Sequence, residues 1–319
     1  MKHCFVINPA AGKGKVQNKL EQQIRDSCDE LGVDYSVYYT ACEGDCEKYV
    51  GARCAEGDDI RFYACGGDGT LGDVVNGTAG YSNAEVGIIP VGTGNDFVRN
   101  FSPKEKFMDI IAQVKGSIHQ LDLIKYNGRY LINMLNTGFD CEVVRQVAKI
   151  KKNPLVPGGL AYIMGVVRVL LKKPGVKMRV SVDGGEAQDK DLLLTCIGNG
   201  AFCGGGFRSE PYASPSDGVM DVCFIKNVTR RKFLSLLSSY KTGNYLHRRD
   251  IGKIAEYVRC STLEIQFPQS QAVSIDGEIE DCDRIVLSVH RGAVRFCVPE
   301  GCEQIEPWAI GTVAEAATV

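Results

Sequence analysis

Apolar positions follow one rhythm in the first third of this 319-residue chain and another in the rest. Cys4, Phe5, Val6 and Ile7 form a short run that stops at Asn8-Pro9. Val16, Leu20, Ile24, Cys28 and Leu31 then recur at helical spacing. Residues 33–39 predict a strand and 43–54 a helix. Residues 60–64 are a strand that leads, through Cys65-Gly66-Gly67-Asp68-Gly69-Thr70, into a helix with Leu71, Val74 and Val75 on one side. Residues 86–90 are another buried strand, and Phe107, Ile110, Ile111 and Val114 mark a further helix. Such alternation predicts a parallel sheet covered on both faces, with ligands at the carboxyl ends of its strands.

From about Leu121 the texture changes. Residues 121–126, Asn127-Gly128 and 130–135 carry a hairpin signal, because Asn-Gly suits a type I′ turn; 176–182 followed by Asp183-Gly184 repeats it. Further strands are expected at 192–197, 219–225, 263–267, 284–289 and 293–298. Two helices interrupt them, 160–172 and 229–240, the second with Thr229 as N-cap. The expected fold is therefore α/β, with a parallel-sheet domain over 1–122 and a mainly antiparallel, sandwich-like or flattened-barrel domain over 123–298. The patternless tail, 299–319, either returns to the first domain or frays.

Composition narrows the classes. With 44% hydrophobic and 24% charged residues the chain is an ordinary globular one, and its length favours two domains. A formal charge of −2 leaves no basic excess for wrapping nucleic acid, though a local basic face could still meet an anionic membrane. Fourteen cysteines without CxxC pairs, beside only four histidines, exclude zinc-ligand spacing and suit buried, reduced thiols. Cys42, Cys46 and Cys54 share a predicted helix, where such thiols pack. No signal-peptide pattern opens the chain, and no run reaches the roughly 20 apolar residues of a membrane span. A cytoplasmic location is expected.

Three glycine-containing turns follow strands on one sheet edge. Asn8-Pro9-Ala10-Ala11-Gly12-Lys13-Gly14 lacks the spacing of either common nucleotide fingerprint, and alone it is a turn found in any α/β protein. Gly66-Gly67-Asp68-Gly69-Thr70 lets backbone N–H groups close around a phosphate at a helix start, where Asp68 calls for a cation or water between itself and the phosphate. Gly92-Thr93-Gly94-Asn95-Asp96 is either a helix cap or a third phosphate turn. Three on one edge favour a shared phosphate and metal pocket. Asp276-Gly277-Glu278 suits a solvated Asp-Gly turn; if instead the strand continues, two carboxylates share a face and one is primed as a general base. Residues 199–207, with Gly204-Gly205-Gly206, form a loop of substrate-lid or ordinary surface type. Residues 160–171 carry an apolar stripe flanked by Lys149, Lys151, Lys152, Arg168, Lys172 and Lys173, which fits a core helix or a membrane-facing patch.

Taken together, these motifs resemble the diacylglycerol kinase catalytic-domain family of lipid kinases, whose members include sphingosine and ceramide kinases. The resemblance runs from Asn8-Pro9 through Gly66–Thr70 and Gly92–Asp96 to Asn199-Gly200, Gly204–Gly206 and Asp276-Gly277-Glu278. It implies ATP phosphates between Asn8, Gly12, Gly66, Gly67, Gly69, Thr70, Gly92, Thr93, Gly94 and Asn95, with Thr40 lining the nucleotide pocket. It implies that Asp68 and Asp96 order waters around a catalytic Mg²⁺. Asp276 would act as the base toward a lipid hydroxyl, supported by Glu278, in a cleft between the domains. A structural Mg²⁺ would lie at Ser214, Asp217 and Val219, where Ser214 replaces a lysine of the family pattern. Diacylglycerol is the expected substrate, drawn from a membrane surface touched in passing on its inner face; a homodimer is a family-level expectation. Sphingoid or other lipid alcohols, NAD (through the shared Gly-Gly-Asp-Gly turn) and a non-catalytic binding role are the alternatives.

Overall fold

A computed structural model of the chain describes residues 1–14, 17–151, 164 and 175–308. Four parallel strands open the fold: β1 (Lys2–Ile7), β2 (Tyr35–Tyr39), β3 (Ile60–Gly66) and β4 (Ala84–Pro90), in the order β2-β1-β3-β4. Helices α1 (Gln17–Leu31), α2 (Asp45–Ala55) and α3 (Asp68–Thr78) connect them. β1, β3 and β4 are buried along almost their whole length because both faces are covered. Phe5, Leu20, Ile24 and Tyr63 form the core on one side; Val50, Phe62, Leu71 and Val74 lie on the other. The helix expected near Val114 shrinks to α4 (Ile110–Val114), capped by Asp109 through its bond from the Ala112 amide at 3.0 Å.

After a two-residue strand, β5 (Phe101–Ser102), the chain enters β6 (Ser117–Tyr126), so the division expected at 122–123 falls inside a strand. The Asn127-Gly128 turn has both residues at positive φ and joins β6 to β7 (Arg129–Leu131), the hairpin its sequence predicts. The partner strand is not continuous, however. It breaks after Leu131 and resumes as β8 (Met134–Gly138).

β9 (Val176–Val182) and β10 (Gln188–Gly198) meet at the Asp183-Gly184 turn, and β11 (Met220–Lys226), β12 (Ala255–Cys260) and β13 (Thr262–Ile275) follow. β8 and β9 each pair with both β10 and β13, which closes a four-strand ring. Register shifts at Leu192/Leu194 and Gln266/Gln271 let β10 and β13 change partner midway, as closure requires. Met178, Ile197, Phe224 and Ile265 belong to the core enclosed here. The two strands expected at 284–289 and 293–298 are one, β14 (Glu278–Val298), with a register shift after His290. Its far end pairs with β4 at Phe296, which joins both halves into one thirteen-stranded sheet.

Helices α5 (Phe139–Lys151) and α6 (Arg230–Thr242) cover the outer face of β8, β10 and β11 through Phe139, Leu193, Leu194, Phe233 and Tyr245. Thr229 caps α6, as expected, accepting the Lys232 amide at 3.4 Å. Past Val298, β15 (Glu303–Gln304) pairs with β5, and Trp308 donates its amide to Pro211 O at 3.1 Å. The apolar stripe over 160–171 lies, apart from Met164, outside the described residues. Cys42 is exposed, Cys282 half-buried and the other twelve thiols buried; Cys42 precedes α2 instead of packing within it. Among the described residues no helix is long and apolar enough to cross a membrane.

Candidate active site

The ends of β1, β3 and β4 bring the three glycine turns together. Asn8 ties the first to the second: its amide donates to Cys65 O at 3.1 Å and its Nδ2 to Thr70 Oγ1 at 3.1 Å. Gly92 N donates to Gly66 O at 3.0 Å, joining the second to the third. A Cβ at Gly92 would overlap Gly67 Cα and stand 2.7 Å from Asn95 Oδ1, so the close approach of these turns needs glycine. Asn95 is held left-handed (φ 51°), its Nδ2 donating to Pro90 O and Gly92 O at 2.8 and 2.9 Å.

A cavity of about 1320 Å³ opens onto these turns. Asn8, Gly12 and Thr40 line one side of it; Gly67, Asp68, Gly69 and Thr70 the floor; Gly92, Thr93, Gly94 and Asp96 a third wall. Gly66 and Asn95 do not reach it. They stand behind the wall and hold the turns in place.

Asp68 starts α3 and accepts the Asp96 amide on both oxygens at 3.0 Å and the Phe97 amide at 3.1 Å. Burial raises its proton affinity, and those amides pull it back. Asp96 Oδ1 accepts from Arg99 Nε at 3.1 Å, and its Oδ2 accepts the amide of Gly205 at 2.8 Å. The triple-glycine loop thus latches onto a first-half acid, and Gly204 and Gly205 line the same cavity.

Across the cavity stand Asp276 and Glu278. The strand does not continue through them. Ile275 pairs with Glu278, and Asp276 (φ 46°) and Gly277 (φ 96°) make a two-residue hairpin turn. The turn nevertheless buries its carboxylate, which is only 9% exposed. Asp276 Oδ1 accepts the amides of Asn133 and Met134 at 3.1 and 2.8 Å, and Oδ2 that of Ile132 at 2.9 Å. This explains the break between β7 and β8, whose amides turn toward a carboxylate instead of a neighbouring strand. Burial pushes the Asp276 carboxyl up to about 6 against the pull of those amides, with the Asp68 charge adding to the rise. Glu278 Oε1 lies at Gly69, 3.0 Å from where a Cβ would stand.

Asp73, outside the glycine motifs, also lines the cavity. Burial, and then the Glu278 charge, push its carboxyl up to about 6. Its signal was present in the sequence, since the Leu71, Val74 and Val75 face leaves position 73 on the open side of α3.

Away from the turns the cavity continues as an apolar channel between α5, α6 and the sheet, walled by Phe139, Val143, Leu194, Phe233, Leu236 and Tyr245. Ser214, Asp217 and Val219 do not line it. Asp217 is ion-paired with Arg259 and accepts the Val219 amide at 3.2 Å, while Ser214 Oγ accepts from Gln304 at 2.9 Å. Arg259 is shared with Asp221, its Nε 3.3 Å from Asp221 Oδ1, so one guanidinium faces two carboxylates beside that loop. No group of three or more Asp, Glu, His or Cys suited to a metal occurs among the described residues. Asp68 and Asp96 fit a metal differently, as two carboxylates beside a phosphate-type cradle.

The chain is similar to known proteins along most of its length. Residues 2–126 match the model of the diacylglycerol kinase catalytic domain, and 133–298 that of the YegS C-terminal NAD kinase beta sandwich-like domain. The diacylglycerol kinase of Bacillus subtilis is 28% identical over 284 residues, covering 87% of this chain and 90% of its own length. A probable YegS-like lipid kinase of Alcanivorax borkumensis is 30% identical over 276 residues, covering 85% and 89%. A solved diacylglycerol kinase of Bacillus anthracis has the same fold, with a TM-score of 0.66 at 20% identity over 94% of this chain and 97% of that one. The chain belongs to the diacylglycerol kinase and YegS-like family of lipid kinases.

Proposed function

We propose that the protein transfers the γ-phosphate of ATP to the hydroxyl of a lipid alcohol, diacylglycerol first among them, to form phosphatidic acid. One observation carries this reading: a single cavity joins three phosphate-type turns and the Asp276 carboxylate to an apolar channel. The turns between Asn8 and Gly12, Gly67 and Thr70, and Gly92 and Gly94 would hold the nucleotide phosphates through backbone amides. A Mg²⁺ bound with the nucleotide, beside Asp68 and Asp96, would supply neutralising charge to the transferring phosphate.

Asp276 is the proposed base. Oδ1 accepts two amides and Oδ2 one, so Oδ2 keeps the freer lone pair for the lipid hydroxyl proton. The three amides hold the carboxylate still, and a carboxyl near 6 is ionised at neutral pH yet more basic than an exposed one. Glu278 supports it from the same hairpin. The apolar channel would take an acyl chain, a feature without a role in phosphorylating NAD. Transfer of labelled phosphate from ATP to a panel of lipids in mixed micelles tests the proposal. No labelled lipid from diacylglycerols, sphingoid bases or prenols, alongside NADP made from NAD, would sink it.

A further inference from the structure

Helix α6 presents two faces. Phe233 packs its ring 4.6 Å from that of Phe139, and Leu236 is buried. On the outer side Arg230, Leu234, Leu237 and Lys241 follow at steps of four, three and four, which sets them in one stripe. Leu234 is 60% exposed and Leu237 39%, and Val144 on the neighbouring α5 is 47% exposed. All three line the mouth of the apolar channel.

The charge of the segment that carries this stripe is one-sided. Residues 226–253 contain eight Lys and Arg against one acid, Asp250, in a chain whose formal charge is −2. Asp250 pairs with Lys232 and Arg248, and Arg231, Arg249 and Lys253 are exposed. Exposed leucines on a segment this rich in cations match the interface of an anionic bilayer: acyl surface for the leucines, phosphate for the cations.

We infer that the α6 face, with Leu234 and Leu237 at its centre and Arg231, Arg249 and Lys253 around it, docks the protein on an anionic phospholipid surface and sets the channel mouth against the leaflet. The inference rests on the lipid-kinase reading for its purpose, but its geometry is separate from the phosphate turns. Docking here lets a lipid pass from the leaflet into the channel without its acyl chain crossing water, while ATP reaches the turns on the other side of the cavity.

The test uses the full chain without nucleotide, sedimented with vesicles of phosphatidylcholine alone or mixed with phosphatidylglycerol. Binding is expected to the mixed vesicles, weakening as salt rises. The combined variant Arg231→Glu, Arg249→Glu, Lys253→Glu is expected to bind them about tenfold more weakly or worse. It should keep its rate on a dispersed short-chain diacylglycerol and its thermal unfolding midpoint. Leu234→Ser with Leu237→Ser, scored only on vesicle binding, is expected to lose several-fold and to lose it at high salt as well. Equal binding to neutral vesicles, undiminished binding by the charge-reversal variant, or retention of an RNA homopolymer in place of anionic vesicles would overturn the inference. Vesicle binding as described, with no phosphate transfer to the dispersed substrate, would support docking and count against the kinase reading alone.

Discussion

Asp68 holds the backbone amide of Asp96 at 3.0 Å on each carboxylate oxygen, while Asp96 holds that of Gly205 at 2.8 Å. Two acids whose charges repel are thus linked through peptide groups, and the second links the nucleotide half to the glycine loop of the other half. The arrangement keeps both carboxylates at one cavity without a direct contact between them.

Replacing Asp68 separates its two tasks. Asp68→Asn retains one acceptor oxygen for the amides of Asp96 and Phe97 but loses the charge beside the phosphates. We expect kcat to fall about 10²–10³-fold with little change in melting temperature. Asp68→Ala strands those amides and should also cost about 1–3 kcal/mol of stability. Phosphate transfer and thermal unfolding, measured on both variants, separate the outcomes.

Asp276→Asn should lower kcat by about 10²–10⁴-fold, the contribution of a positioned base. It keeps an oxygen for part of the amide nest, so it should fold. Asp276→Ala leaves the amides of Ile132, Asn133 and Met134 without their acceptor and should unfold more readily than Asp276→Asn. An unchanged rate in Asp276→Asn would remove the base assignment.

The pH dependence follows from the same carboxyl, whose ordinary value of 3.8 rises to about 6 in the fold. Transfer needs the ionised form, so kcat/KM should climb through about pH 6 and level off above it, a limb absent from the residual activity of Asp276→Asn. The stability effect has the opposite sense. Between about pH 4 and 6 the folded state binds the proton and the unfolded chain does not, so this group makes the protein less stable as pH rises across that window. Asp73 shifts the same way and adds to the trend, which makes the difference between wild type and Asp276→Asn the quantity to measure by denaturant unfolding.

Gly92→Ala would drive a methyl against Gly67 Cα and Asn95 Oδ1. The second and third turns must then part. We expect KM for ATP to rise at least several-fold and stability to fall by about 1–3 kcal/mol. Isothermal titration with a non-hydrolysable ATP analogue reads the first effect and thermal unfolding the second.

Local signals foretold the local structure. The strand-turn-helix units, the Asn127-Gly128 and Asp183-Gly184 turns and the Thr229 cap each depend on neighbours within a few residues, and each formed as its sequence indicates. What escaped depends on contacts distant in sequence. The gap at Ile132–Asn133 exists because Asp276, more than 140 residues on, captures the amides there. Asp276 could be read as a solvated turn or as a buried acid, and it is both a turn and buried; its sequence neighbours carry no record of the β7–β8 amides that allow this. β14 runs through Gly292, where a local reading stops, because β6 pairs with it on both sides of the shift. The channel escaped for the same reason, since α5 and α6 meet over the sheet although β9, β10 and β11 separate them in sequence.

That channel gives the prediction most specific to a lipid substrate. Val143, on α5, is buried at its wall, opposite Phe233 and Leu236 of α6. Val143→Phe adds a ring where an acyl chain would lie, on an element that carries none of the turns. One methylene too many in an apolar site costs about 1–3 kcal/mol, so the rate on long-chain diacylglycerol should fall about tenfold or more. Transfer to a dispersed short-chain analogue, and KM for ATP, should stay within about twofold. Competition between short- and long-chain substrates in one reaction reads the ratio directly. Equal losses on both chain lengths would mean that the acyl chain does not enter between α5 and α6, and the lipid would then have to reach Asp276 from the open side of the phosphate turns.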